Sequence, residues 1–128
     1  MMSSAETLVQ EGLLPEDSSK RHYNFPLGFE GALPADMETL IFLKSRLPVG
    51  AGFGVIHEDF NSFRFLAGAL AMGARCIRVG FEDGGVYAPK KTATTNLELV
   101  RKAAALVEDL GLELMNIEEA RSYLGVLK

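Results

Sequence analysis

Arg78, Glu82 and Asp83 stand close together in the run Ile77-Arg78-Val79-Gly80-Phe81-Glu82-Asp83. If this run is a strand, its side chains alternate between two faces. Ile77, Val79 and Phe81 then share the apolar face. Arg78, Gly80 and Glu82 share the other. A cation and an anion turned into a common interior need a partner or a metal, because burying an unpaired charge is costly. Gly80 leaves room between them for a ligand. Periodicity alone leaves two readings open, a reacting group or a structural ion pair.

Other residues invite chemical readings and have plainer ones. Gly50-Ala51-Gly52-Phe53-Gly54 resembles a phosphate-binding loop but lacks a following lysine, so close packing at a strand start is expected. Glu58 and Asp59 are read as acids favoured ahead of a helix, with an active-site role as the alternative. Lys90 and Lys91 are read as solvated, or else as contacts for a phosphate. His22 and His57 read as loop histidines, and Cys76, the one cysteine, as core.

The elements that must position these residues alternate strand and helix. A first helix is expected at about Glu6–Gly12, followed by a polar stretch, Pro15–Arg21. The first unit has a strand over Tyr23–Phe29, with Pro26 expected to disturb its pairing. Its helix spans about Met37–Leu47, capped by Asp36, with Met37, Leu40, Ile41 and Leu47 on one face. The second unit has a strand over Ala51–Ile56 and a helix over Ser62–Met72, capped by Asn61 and ended by Gly73. Gly68 inside that helix suggests a close approach.

The third unit has a strand over Arg75–Phe81, a loop over Glu82–Thr94, and a helix over Leu97–Leu110. Thr95 and Glu98 form an expected capping box there. Val100, Ala103, Ala104, Val107 and Leu110 are its expected apolar face. A short terminal helix follows Asn116, with Glu119 three residues on. Gly28, Gly54 and Gly80 are evenly spaced, and Gly-Phe-Glu occurs at both 28–30 and 80–82, so a duplicated unit is one reading.

This alternation implies an α/β fold with parallel strands joined by right-handed crossovers. Three parallel strands make a poor independent sheet, because both faces and both edges need covering. The expectation is therefore the C-terminal portion of a (β/α)8 TIM barrel, with residues 1–22 as helix and connection and 23–128 as the last three strand–helix units. A closed barrel takes roughly 250 residues, and this chain has 128. Glu82 and Asp83 fall at the C-terminal end of a strand, where barrel enzymes carry their reacting groups.

Composition narrows the function classes. The chain is 48% hydrophobic and 23% charged, enough apolar content for a core. A formal charge of −4 offers no basic face for nucleic acid or an anionic membrane, so a small substrate is expected. No apolar run approaches the roughly 20 residues of a membrane span. The opening residues lack the pattern of a secretory signal. A single cysteine suits a reducing compartment, and a cytoplasmic location is expected.

Arg78-Val79-Gly80-Phe81-Glu82-Asp83, followed by Thr95-Asn96-Leu97-Glu98-Leu99-Val100, resembles the closing region of the β-keto acid cleavage enzymes, a group that includes 3-keto-5-aminohexanoate cleavage enzyme. The likeness continues through Leu110-Gly111-Leu112-Glu113 to Glu119-Ala120-Arg121-Ser122-Tyr123-Leu124-Gly125. Pro26-Leu27-Gly28-Phe29 and Leu47-Pro48 match more loosely. The resemblance implies a zinc-containing barrel that cleaves a β-keto acid with acetyl-CoA, giving acetoacetate and a new CoA thioester.

By position, the resemblance makes Glu82 the carboxylate ligand of Zn²⁺, with Arg78 and Asp83 acting together on the substrate. A carboxylate suits zinc in a mixed site, and an open position lets the metal polarise a ketone. The chain departs from the family in lacking a His-x-His pair, and in having Gly84 and Leu112 where the family has asparagine and arginine. Two function classes follow. One is an enzyme part that needs the missing N-terminal half-barrel. The other is a non-catalytic, self-associating partial barrel that covers its edges with identical copies.

Overall fold

A computed structural model describes residues 2–58 and 62–126. Its elements are α1 (Met2–Gln10), a 3-10 turn (Ser18–Lys20), β1 (His22–Leu27), α2 (Met37–Ser45), β2 (Gly52–His57), α3 (Ser62–Ala71) and β3 (Cys76–Ile77), then β4 (Val86–Ala88), β5 (Lys91–Thr92), α4 (Asn96–Asp109) and α5 (Ile117–Leu124). The fold is α/β, with a parallel sheet in the order β1-β2-β3. Asp59 and Asn61, read from the sequence as a helix-preceding acid and a cap, lie outside the described residues.

Register defines two unlike faces. His22 pairs with Gly52, Asn24 with Gly54, and Gly54 with Cys76. The residues between them, Phe25, Leu27, Phe53 and Val55, are buried against Leu40 of α2 and Phe65, Leu66 and Ala69 of α3. The cover from α2 and α3 therefore lies on one face, while on the other, Tyr123 of α5 reaches His22 and Gly52 at one end. The opposite face carries His22, Asn24, Pro26, Gly52, Gly54, Ile56, Cys76 and Arg78. Asn24, Pro26, Cys76 and Arg78 are exposed on it.

This asymmetry corrects the reading of Cys76 as core. Its strand is correct, but its side chain is exposed on the face away from α2 and α3. Burial against its neighbours still pushes the thiol pKa up. The expected break at Pro26 is also absent, since register runs unbroken through Pro26–Ile56 to Leu27–His57. Arg21 and Leu27 turn their carbonyls toward β2, where Gly52 and Glu58 donate to them. By alternation Pro26 turns its nitrogen to the open edge, where no β2 bond is lost.

Helix boundaries follow their caps. Asp36 accepts from Thr39 N at 2.7 Å. Asn116 and Glu119 form the full capping box expected of them. At α4 the box is displaced by one residue. Thr95 caps Glu98 N, but the Glu98 carboxylate accepts from Thr94 N and Oγ1. The buried stripe of α4 is Leu99, Ala103 and Val107, while Val100 and Leu110 are exposed. That face is turned by about one residue from the expected one. Ile41 of α2 is likewise exposed.

Gly68 does allow a close approach, since a Cβ there would lie 2.6 Å from Met37 Sδ. The duplicated-unit reading finds no support in register. Gly54 pairs with Asn24 and Cys76, whereas Gly28 and Gly80 lie beyond the ends of β1 and β3. The third strand is also shorter than expected, ending at Ile77, and the predicted loop contains the antiparallel hairpin β4–β5. Among the described residues no helix is long and apolar enough to cross a membrane.

Candidate active site

The ladder between β2 and β3 is extended by one bond, from Arg78 N to Val55 O at 3.1 Å. Ile77 and Val79 pack toward the helix-side core, as alternation requires. Phe81 departs from that pattern and is 49% exposed. Gly80 is the cause. Its φ of 154° leaves the extended strand, and its carbonyl accepts from both Asp83 N and Gly84 N at 3.0 Å. A tight turn forms, closed by an isolated bridge between Gly80 and Gly84.

The turn brings the three candidate residues together and assigns them different surroundings. Arg78 donates to Asp83 through Nε at 2.7 Å and also through NH2. This fork-shaped pairing is the strong geometry for a guanidinium and a carboxylate. Arg78 NH2 lies 3.7 Å from Glu82, whose side chain is 85% exposed. The Asp83 side chain is only 5% exposed. Asp83, rather than Glu82, is thus the buried partner of the arginine. Hydrogen bonding to Asp83 pushes the Arg78 pKa up, so the guanidinium stays charged.

A recess behind the pair is lined by His57, Phe63, Arg78, Asp83 and Leu99, among others, with about 10 Å³ of free space. That is about what one water needs. His57, expected in a loop, is the buried last residue of β2, its ring 5.0 Å from Phe65. His22 is the first residue of β1, at the opposite end of the sheet. Its Nδ1 meets Tyr123 Oη at 2.7 Å, and its Nε2 meets Asn24 Oδ1 at 3.1 Å. Neither histidine is a loop residue.

The glycine run packs tightly, as expected. Ala51 N and Gly52 N donate to Pro48 O and Arg21 O, and Gly52 sits beneath the Tyr123 hydroxyl with no space for a side chain. Lys91 lies over the Tyr87 ring at 4.5 Å, and Lys90 is exposed at the hairpin turn. Glu58 is exposed directly after β2. Among the described residues no three His, Cys, Asp or Glu side chains cluster as a metal would need.

Sequence reasoning gave Asn96 no structural role. Its Oδ1 accepts from Phe81 N at 2.8 Å, reaching from the first turn of α4 to the turn that carries Glu82 and Asp83. The signal in the sequence was its place beside the capping threonine, in the Thr95-Asn96-Leu97-Glu98 segment that carries the family resemblance.

Residues 1–126 match the beta-keto acid cleavage enzyme family. The chain is 34% identical over its full length to a 3-keto-5-aminohexanoate cleavage enzyme of Acetoanaerobium sticklandii, covering 45% of that protein. It is 29% identical to the 3-dehydrocarnitine:acetyl-CoA trimethylamine transferase of Rhizobium meliloti, over 97% of this chain and 40% of that one. A 3-oxoadipate:acetyl-CoA acetyltransferase of Cupriavidus necator is 32% identical over 82% of this chain and 38% of its own length. The chain thus spans less than half the length of these curated relatives. A match over nearly all of its residues means that the chain belongs to the beta-keto acid cleavage enzyme family.

Proposed function

We propose that this chain is the C-terminal part of a (β/α)8 TIM barrel enzyme that cleaves a β-keto acid with acetyl-CoA, releasing acetoacetate and a new CoA thioester. Residues 1–22 form its connection and 23–128 its last three units. We read it as cytoplasmic and as inactive without the remaining barrel. The observation that carries this reading is the Arg78–Asp83 pair at the C-terminal end of the sheet, with Glu82 projecting beside it. Family membership supports the reaction class.

In this reading Arg78 holds the acidic substrate with donors left over from its bonds to Asp83. Asp83, kept in place by that fork, accepts a proton from the carbon chain beside the ketone. Zn²⁺ enters only as a shared ion. Glu82 would supply one oxygen ligand, and when bound the metal would polarise the ketone. One exposed carboxylate does not make a closed site, so the described residues alone do not fit the ion.

A second reading, a non-catalytic partial barrel that associates with copies of itself, draws on the exposed Asn24, Pro26, Cys76 and Arg78 of the sheet and the open edges of β1 and β3. One experiment separates the two. The chain is co-expressed with the part of the A. sticklandii relative that it does not cover, and acetoacetate release from 3-keto-5-aminohexanoate and acetyl-CoA is measured with zinc content. Turnover by the assembled pair, lost in Arg78→Met, supports the enzyme. A soluble assembled pair without turnover overturns it.

A further inference from the structure

We infer that Asn96 is the positioning residue for the Arg78, Glu82 and Asp83 group, setting which carboxylate is tucked against the arginine and which projects. After Arg78 the chain leaves the sheet, and nothing in the ladder fixes where the Gly80–Gly84 turn sits. Two attachments do so. One is internal, the Arg78–Asp83 fork. The other is the 2.8 Å bond from Phe81 N to Asn96 Oδ1, which ties the turn to α4.

Asn96 is well placed to act as a fixed point. It opens a 14-residue helix anchored by the buried Leu99, Ala103 and Val107. Capping that helix does not require it, because Thr95 already accepts from Glu98 N at 3.3 Å. Its side chain is thus available to the neighbouring turn. The bonded amide belongs to Phe81, the residue at which strand alternation fails. Holding that amide sets the direction in which the next two residues leave. The result is the observed division, Glu82 at 85% side-chain exposure and Asp83 at 5%. Gly80 completes the fit, since Asn96 Oδ1 lies 3.6 Å from where its Cβ would be.

Any consequence for catalysis rests on reading these three residues as the reacting group. The test uses neither substrate nor metal, so it fails or stands separately from that reading. Amide exchange and the Arg78 Nε–H resonance are followed by NMR in the wild-type chain, Asn96→Ala and Asn96→Asp. In the wild type the Phe81 amide should be protected. In Asn96→Ala, exchange at Phe81, Asp83 and Gly84 should rise roughly tenfold, the scale of one lost hydrogen bond, and the Arg78 Nε–H signal should move. Asn96→Asp keeps an acceptor in the first helical turn and should restore both.

An unprotected Phe81 amide in the wild type overturns the inference, even if Asn96→Ala fails to fold. So does an alanine variant that leaves the turn unchanged, or one that loosens the β1–β2 amides equally. Failure of aspartate to restore protection also counts against it.

Discussion

Replacing Gly54 by alanine should weaken the fold, although strand propensity argues the other way. Alanine is ordinarily better than glycine inside a strand by roughly 0.5–1 kcal/mol. Position 54 lies mid-strand in β2, between Asn24 and Cys76. A Cβ there would collide with Asn24 Oδ1 and lie 2.9 Å from both Cys76 Cβ and the Cys76 carbonyl oxygen. Asn24 is exposed and can swing aside. The carbonyl is backbone, and relief there means parting β3 from β2, which are joined through only two registered pairs. Overpacking of this kind costs about 1–3 kcal/mol, so after the propensity gain we expect a net loss of about 1 kcal/mol.

With a urea slope of about 1–3 kcal/mol/M for a small domain, that loss lowers the unfolding midpoint by about 0.5 M. The Asn24→Ala/Gly54→Ala double variant should recover little, because the backbone contact persists. Full recovery would make Asn24 the obstacle instead. An unchanged or raised midpoint for Gly54→Ala refutes the tight β2–β3 contact altogether.

Two further expectations concern pH and the open face. Hydrogen bonds from Thr94 hold the Glu98 carboxyl below its ordinary 4.5, and those from Thr39 hold Asp36 below 3.8. Because both folded values are depressed, their contribution is present above the ordinary values and lost as pH falls through the folded ones. Helical circular dichroism should therefore decline below about pH 4.5, and less steeply in Asp36→Asn/Glu98→Gln; identical curves would count against these caps. Cys76 should react with iodoacetamide at pH 8 in the free chain, and at least tenfold more slowly once the rest of a barrel covers its face. An unchanged rate in the assembled pair would mean that this face is not the interior.

Much of this protein was legible from local rules. Asp36, Thr95 and Asn116 announced their helices because a capping side chain acts on amides two or three residues away, and such contacts depend little on the rest of the chain. The α/β class followed from the alternation of short apolar runs with helical periodicity. The Arg78, Glu82 and Asp83 group was visible because a charged pair at the end of an apolar strand needs an explanation.

The remainder needed tertiary structure. Sequence treated Glu82 as the strand's inward carboxylate, yet the turn at Gly80 buries Asp83 against Arg78 instead. That choice depends on Asn96, which comes from the next helix. Cys76 looked like core because its neighbours are apolar, but burial depends on which face the helices cover. Leu99 rather than Val100 faces inward because the rotation of α4 is set by its contact with α3. Local pattern determines what each segment becomes; which side of it meets another segment is decided only by packing between residues distant in the chain.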